Sequence, residues 1–510
     1  MGKNSHNFKS GAAALVVDPP LGLPLAGVVS RDRPAESRLA PLEVTATAFE
    51  LGSTRLILCG VDNIGIQSPE ADELRAAVAK STGADLAGII LNFNHTHHAP
   101  VGCRSLFGLL GDKDPNPPPA LLTYIDYLHA RIVEVCQLAC EALEPAWIRW
   151  GLGELDESVN RRQRDPDGNV TKIGWNPGGL VDHSVPVLQA VRQNESVIAT
   201  IVNYGCHTVT TGPGYYGYSP DYPGPMRDFV RSATGGECVF FQGAGGNVMP
   251  RIAFEDACES MVNLGSKLGI EAVHAVTNRP GGPKRLEETR FGSGTALALF
   301  RWSSVEETPP LLAAVEEVVE FPLLPLPSVE ELTRLIDKTE SDIVEAEKGG
   351  ASEVELRALR FHGLNWAQRI RTEIESGNPR ILVKGSINSV RIGNGAIVTG
   401  PGEIFTEIGL AVKERSPADV TMYAGYSNGA ISYFPTAAEY PLGGYEPNYG
   451  NKSYGLPAQV SPDSERILIE NGVNLVRSLF PEREAPEVPG WIASGKLPLP
   501  PEKVKIKRPD

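Results

Sequence analysis

Short apolar runs that end in polar loops recur along this chain. Five of these runs predict buried strands, over 89–91, 197–202, 239–241, 396–398 and 420–423. Each run leads into a loop rich in Gly, Asn, His or Glu, and these loops lie at 94–98, 203–212, 242–251, 400–407 and 425–445. Because sites in α/β proteins form where the carboxyl ends of strands converge, we expect these loops to line one shared cavity.

Helical patterns alternate with the strands, which makes the fold class α/β. Helices are predicted over three stretches, 68–81, 119–143 and 255–277. A charged stretch over 328–376 predicts an inserted helical hairpin whose charges are solvated. The polar stretch 151–186 predicts a loop, and the proline-rich stretch 303–327 predicts a connection across the surface.

Charge and cysteine content argue against several classes of partner. The 510-residue chain has a formal net charge of −15, which argues against nucleic acid and against docking on anionic membranes. No apolar run approaches the roughly 20 residues of a membrane helix, and no signal-peptide core stands near the N-terminus. Seven cysteines without a CxxC pair are typical of reduced thiols. We expect a soluble cytoplasmic protein with a small-molecule substrate, as a monomer or a homo-oligomer.

A histidine-rich loop is the strongest candidate for chemistry. It contains three of the nine histidines, His95, His97 and His98. If the chain stays extended there, His95 and His97 point to one face and His98 to the other. His207 ends another strand, and Glu403 lies where a loop leads into a predicted helix. Two imidazoles and a carboxylate suit catalytic zinc with an open position for water. The alternatives are hydrogen-bonded core histidines and a carboxylate that only favours the helix dipole.

The glycine-rich loop 242–247 is a poor candidate for a nucleotide site. It lacks the GK[ST] of a P-loop, and Val248 stands where a GxGxxG motif needs its third glycine. Its closely spaced main-chain N–H groups could still hold an oxyanion.

Several motifs resemble those of the neutral, non-lysosomal ceramidases. NHTHHAP (94–100) is similar to the family's THTHSGP, NYGCHTVTTGP (203–213) to the segment with its second zinc histidine, and PGEIFTEIG (401–409) to its PGE segment. GYSNGAISYFPTAAEYPLGGYE (425–446) is similar to the family's GYxNxxxxYxxTxxEYxxxxYE. The resemblance implies a catalytic domain of mixed β-sheets flanked by helices over 1–485, followed by a proline-rich tail over 486–510.

The resemblance also implies roles for individual residues. It places zinc ligands at His95, His207, Glu403 and Tyr433. It places catalytic or substrate-polarising groups at His97, Arg161 and Tyr445. In this interpretation a zinc-bound water attacks an amide carbonyl, His97 shuttles a proton, and Arg161 and Tyr445 stabilise the oxyanion or orient the substrate. Two histidines, a carboxylate and a phenol also accept other divalent metals.

Departures from the family pattern point to a changed substrate pocket. The segment 246–251, GNVMPR, replaces the family's GDVSPN, and a methionine can neither attack as a nucleophile nor donate a hydrogen bond. A histidine also replaces the serine that follows the two family histidines. We therefore expect the residues that shape the substrate pocket to be His98, Gly246, Asn247, Met249 and Arg251.

The family's C-terminal immunoglobulin-like domain and its secretion or membrane signals have no counterpart in this sequence, so we expect a substrate that is smaller and more polar than a membrane-presented ceramide. The preferred hypothesis is a zinc-dependent hydrolase of a small N-acyl or cyclic amide. The alternatives are a zinc-dependent ester or lactone hydrolase, a true N-acylsphingosine amidohydrolase, and an inactive protein that keeps the fold.

Overall fold

The computed structural model describes residues 7–484 and 486, apart from 110, 115, 256, 278–280, 282–283, 291–297 and 305–309. Its strands are β1 (Phe8–Val16), β2 (Ser37–Arg38), β3 (Glu43–Leu51), β4 (Thr54–Val61), β5 (Ile89–Phe93), β6 (Glu144–Pro145), β7 (Trp147–Glu154), β8 (Ser158–Arg164), β9 (Val170–Asn176), β10 (Ser184–Val191), β11 (Val197–Tyr204), β12 (Gly217–Tyr218), β13 (Glu237–Gln242), β14 (Val248–Pro250), β15 (Lys284–Arg290), β16 (Ala298–Ser304), β17 (Leu312–Pro322), β18 (Leu382–Ile392), β19 (Gly395–Thr399), β20 (Glu403–Ile404), β21 (Val420–Ala424) and β22 (Tyr433–Phe434). Its α-helices are α1 (Glu70–Thr82), α2 (Pro119–Glu141), α3 (Pro223–Thr234), α4 (Glu259–Val276), α5 (Val329–Lys348), α6 (Glu353–Leu359), α7 (Asn365–Glu375), α8 (Thr406–Lys413), α9 (Tyr445–Ser453) and α10 (Asp463–Ser478).

Three mixed sheets share one apolar core. Their strand orders are β5-β4-β3-β1-β6, β13-β11-β10-β7 and β17-β18-β19-β21. Phe49, Leu188 and Ile397, one from each sheet, are fully buried in the same cluster. The outer faces are covered by helices: α1 and α2 lie on the first sheet, α3 and α4 on the second, and α8 and α10 on the third. The predicted α/β class, with mixed sheets flanked by helices, is confirmed.

Each of these three sheets contains one parallel pair whose strands are joined through a helix. The pairs are β4/β5 through α1, β11/β13 through α3, and β19/β21 through α8. The side chain of Asn92, on β5, donates to the carbonyls of Gln242 at 3.2 Å and Gly425 at 2.6 Å. Gln242 ends β13 and Gly425 follows β21, so one amide joins the carboxyl ends of strands from all three sheets. The hydrogen bonds of Asn92 therefore hold together the strand ends from which three of the polar loops begin.

The predicted helical hairpin is present as α5 followed by α6, a π-helical turn over Arg360–Leu364, and α7. The two arms pack through Leu332, Ile336, Trp366, Ala367 and Ile370. Capping boxes begin both arms, at Ser328 with Glu331 and at Ser352 with Glu355.

Two stretches expected to be irregular contain strands. Within 151–186, β8 pairs with β9 and β14, because Arg161 and Arg162 are neutralised inside the protein rather than solvated. Within 303–327, β17 pairs with β18 along its whole length, while 305–309 lie outside the described residues.

The division into a domain over 1–485 and a tail stays a prediction, since 487–510 also lie outside the described residues. Over the described part of the chain, no helix combines the length and the apolar character needed to cross a membrane.

Candidate metal centre

His95 and His207 lie just beyond two of the parallel strands. The chain leaves β5 at Phe93, and His95 adopts the left-handed conformation with φ of 64°. The chain is therefore not extended through this loop, which was the condition for the strand-like alternation of its histidines. His95 and His97 still lie together, with ring centroids 5.0 Å apart, because the turn at His95 replaces the alternation of a strand. A left-handed non-glycine residue is strained, and such strain is common at functional sites.

The hydrogen bonds of these two histidines fix their tautomers. Nδ1 of His95 lies 2.8 Å from the Ile64 carbonyl, and Nδ1 of His207 lies 2.6 Å from the Gly245 carbonyl. A carbonyl only accepts, so each Nδ1 carries the proton and each Nε2 presents a lone pair. The Nε2 atoms lie 3.5 and 3.0 Å from the same carboxylate oxygen, Oε2 of Glu403.

Three buried acceptors thus face one another without a hydrogen between them. Each side chain is at most 3% exposed, so water cannot screen their repulsion. Burial lowers the pKa of His95 to about 4, and burial together with Arg161 lowers the pKa of His207, so both rings are neutral at pH 7. Burial alone would raise the pKa of Glu403, but neighbouring positive charge lowers it, and Arg161 is the neighbour that stays charged at pH 7, so the group is a carboxylate. Two neutral imidazoles and a carboxylate in this arrangement fit a bound cation.

His97 completes a buried group of histidines that could hold a metal ion. One ring nitrogen from each of His95, His97 and His207 lies within 4.8 Å of the others. Neither nitrogen of His97 has a hydrogen-bond partner among the described residues, although both are buried. Burial, followed by the neighbouring histidines, holds the pKa of His97 well below its ordinary value. A neutral ring with two free nitrogens can bind a metal or move a proton.

Glu403 does not begin a helix, as the sequence pattern predicted, but lies on β20, three residues before α8. β20 pairs in parallel with β22, which places Glu403 opposite Tyr433. Nη2 of Arg161, on β8, donates to the Tyr433 hydroxyl at 3.1 Å. Nε of Arg161 donates to Glu446 at 2.9 Å, and both side chains are at most 3% exposed. The guanidinium is therefore anchored on one side and directed to the site on the other.

These groups line a cavity of about 360 Å³. Its polar lining includes His95, His97, Arg161, Glu403, Tyr433 and Tyr445. Most of the remaining wall is apolar and consists of Ala26, Val28, Val29, Ile64, Val101, Leu106, Ile173, Val209 and Phe254. The Tyr445 hydroxyl is bonded to Ser453 at 2.9 Å, and its ring lies 5.7 Å from that of Tyr433. Thus the structure brings together the residues for which the sequence predicted metal-binding and catalytic roles, with His207 just behind the wall.

The five residues expected to shape the pocket are not part of this lining. The His98 ring points away and lies 3.2 and 3.1 Å from the carbonyls of Gly217 and Thr211. Arg251 is exposed and pairs with Asp156. The side-chain amide of Asn247 donates to Glu407 at 2.9 Å. Gly246 packs against the main chain of Glu403, since a Cβ atom at this position would lie 2.5 Å from the Glu403 carbonyl oxygen. Met249 packs with Val159 and Val209. Gly246 and Met249 therefore lie behind the wall, against Glu403 and Val209, which line the cavity.

Three residues at the site were missed by sequence reasoning. Tyr426 packs its ring 4.6 Å from that of His95, and Glu446 anchors Arg161. Both lie in the long motif over 425–446, which could have indicated them. Tyr454 donates to Oε1 of Glu403 at 2.6 Å but lies outside every quoted motif, so no sequence signal pointed to it.

Comparison with known proteins gives a match in structure alone. No protein-family model matches the sequence, and no curated protein matches it. The fold is similar to that of neutral ceramidase from Pseudomonas aeruginosa, with a TM-score of 0.65 and 16% identity over 95% of this chain and 77% of that chain. It is equally similar to a ceramidase complexed with C2, with a TM-score of 0.64 and 16% identity over 95% and 78% of the two chains. This chain has a ceramidase-like fold.

Proposed function

We propose that this protein is a zinc-dependent hydrolase that cleaves an amide bond in a small, uncharged substrate. The observation that carries the proposal is the meeting of two imidazole lone pairs and a carboxylate oxygen beside an apolar cavity. The ceramidase-like fold supports the amide as the bond that is cleaved.

Zinc held by His95, His207 and Glu403 would polarise a scissile carbonyl and make water a stronger nucleophile. His97 is the residue suited to proton transfer. It is neutral, so it can accept a proton from the attacking water and return it to the departing amine nitrogen.

Arg161 and Tyr445 suit the negative charge that develops on the carbonyl oxygen. Burial alone would lower the pKa of Arg161, but Tyr433 and Glu446 raise it above its ordinary value, so the guanidinium stays charged. Burial raises the pKa of Tyr445 to about 12, so its hydroxyl keeps the proton that it can donate. A fixed charge and a fixed hydroxyl stabilise an oxyanion without reorganisation.

The cavity argues for a small substrate whose non-reacting part is apolar. Its volume of about 360 Å³ lies near the lower end of ordinary ligand pockets. The charged groups on its described wall are already engaged, Arg161 with Glu446 and Glu403 with its neighbours. A second charge on the substrate would be buried without a partner. The expectation of a more polar substrate is therefore replaced by that of an uncharged, partly apolar one.

A substrate panel with matched metal controls tests this proposal. We expect a small N-acyl amide to be hydrolysed faster than N-acylsphingosine, with activity lost on chelation and restored by zinc. Esters and lactones with the same acyl group are assayed beside the amides, because they are the substrates of the alternative function. Failure of zinc-loaded protein to hydrolyse any amide, or faster hydrolysis of esters and lactones, would contradict the amide assignment.

A double variant, His95→Ala with His207→Ala, should lose bound zinc and amide hydrolysis together. His274→Ala is the matched control, because that side chain is 77% exposed on α4. Equal zinc content in the double variant and the control would refute the proposed ligands. The measurement is metal content by mass spectrometry beside the rate of amide hydrolysis.

We further propose a cytoplasmic location. All seven cysteines are free in the structure, which suits a reducing compartment. Cell fractionation checks this, and recovery of the protein outside the cytoplasm would contradict it.

A further inference from the structure

The two oxygens of the Glu403 carboxylate have different neighbours. Oε2 faces Nε2 of His207 at 3.0 Å and Nε2 of His95 at 3.5 Å. Oε1 accepts a hydrogen bond from the Tyr454 hydroxyl at 2.6 Å. Tyr426 also points its hydroxyl at this carboxylate, but it lies 3.5 Å from Oε2. The hydrogen bond from Tyr454 is therefore the stronger restraint on the orientation of the carboxylate.

Tyr454 is itself held in place from several sides. It follows α9 directly and is only 6% exposed. Its carbonyl accepts from the side chain of Gln67 at 3.0 Å, and its N–H donates to the carbonyl of Asn451 at 3.2 Å. The next residue, Gly455, has φ of 62°, a conformation that favours glycine, and its carbonyl accepts from Arg380 at 2.7 Å. These bonds make the tyrosine a fixed donor rather than a mobile one.

We infer that Tyr454 is a positioning residue that occupies Oε1 of Glu403 and reserves Oε2 alone for the metal. The inference rests on the proposed zinc site. A carboxylate that is hydrogen-bonded through one oxygen binds through the other, which leaves room at the metal for water. Partners of metal ligands commonly change metal affinity by 10–100-fold when they are removed.

Zinc affinity of the full chain, measured by competition with a chromophoric chelator, tests this inference. Tyr454→Phe removes only the hydroxyl and should weaken zinc binding at least 10-fold. Tyr124→Phe is the matched control, since it removes a buried hydroxyl that donates to the Val17 carbonyl at 3.1 Å and does not line the cavity, and it should leave the affinity unchanged. Equal effects of the two substitutions, or no effect of Tyr454→Phe, would overturn the inference.

X-ray absorption at the zinc edge of the wild-type protein provides a test that needs no variant. We expect a single carboxylate oxygen in the coordination shell. Two carboxylate oxygens at bonding distance would overturn the inference while leaving the zinc site intact. A wild-type chain that binds no zinc would overturn both the inference and the proposed function, so the two failures are distinguishable.

Discussion

Two buried carboxylates near the histidine loop have opposite surroundings. Asp62 is 1% exposed and receives both Nη atoms of Arg227, at 2.8 and 2.6 Å. It also accepts from the side chain of Asn94 at 2.7 Å and the main chain of Glu43 at 2.8 Å. Glu403 is equally buried, but its Oε2 faces imidazole lone pairs instead of a guanidinium.

The difference separates a group that stabilises the fold from a group suited to a ligand. Each oxygen of Asp62 accepts two hydrogen bonds, from Arg227 and Asn94 on Oδ1 and from Arg227 and Glu43 on Oδ2, which leaves little for a cation to satisfy. Glu403 has one oxygen satisfied by Tyr454, whereas the nearest donor to the other oxygen among the described residues is the Tyr426 hydroxyl at 3.5 Å. Buried polar groups are normally paired, and an ion from outside the chain is one of the partners that accounts for an exception.

The largest change that we expect in the free energy of unfolding comes from breaking the buried ion pair of Asp62 and Arg227. Asp62→Asn breaks this buried ion pair and leaves Arg227 only Glu43, 3.4 Å from its Nε, so it should lower the free energy of unfolding by about 3–5 kcal/mol. Glu403→Gln in the zinc-free protein should change it by less than about 1 kcal/mol, because a charge that faces acceptors is removed. Denaturant unfolding of both zinc-free variants measures the difference. Equal losses in the two variants would contradict the comparison.

His97→Gln tests which histidines act as ligands and which moves a proton. Loss of a general acid-base group lowers the rate by about 10²–10⁴-fold. We expect a fall of this size in kcat with zinc content unchanged. Loss of zinc in this variant would instead make His97 a metal ligand together with His95 and His207, whose nitrogens lie within 4.8 Å of it.

A third buried carboxylate, Glu407, extends the comparison to a group that forms no ion pair among the described residues. Burial raises its pKa to about 7, against the hydrogen bond from Asn247. The folded chain therefore holds a proton there between pH 4.5 and 7 that the unfolded chain has lost. The free energy of unfolding should fall across this window as pH rises, by on the order of 3 kcal/mol. Glu407→Gln should flatten that slope in denaturant unfolding, and an unchanged slope would contradict the assignment.

The smallest expected effect is the stabilisation by zinc itself. Free zinc at 100 times its Kd adds about 2.7 kcal/mol to the free energy of unfolding. The melting temperature of the wild-type protein should rise with zinc and fall on chelation, while that of Glu403→Gln should respond much less. Scanning calorimetry with and without zinc checks both proteins.

Much of the fold was predictable because its signals are local. The strands before His95 and His207 are continuous apolar runs, and both histidines follow them within a few residues. Convergence of the strand ends was predictable as a rule for α/β folds, although the sequence could not show that Asn92 ties the three sheets together. The motif resemblance to ceramidases is confirmed at the level of the fold.

The failures have a common physical cause, which is that polar residues can be buried when they find distant partners. The sequence of β8 predicts a loop because the residues that neutralise Arg161 and Arg162 lie 277–285 positions later, at 439 and 446. His98 sits in the same short loop as His95 and His97, yet its ring is directed to the carbonyls of Gly217 and Thr211. No pattern within the loop distinguishes these directions. The directions of these rings are set by partners that are distant in the sequence. Only the folded structure shows which partners those are.

The most direct test of the account is anomalous diffraction at the zinc edge from crystals grown with zinc. We predict one peak among Nε2 of His95, Nε2 of His207 and Oε2 of Glu403, at about 2.0–2.2 Å from each atom. A fully folded site with no peak there, or a peak held by other side chains, would contradict the claim that these three acceptors face one another because they share a metal ion.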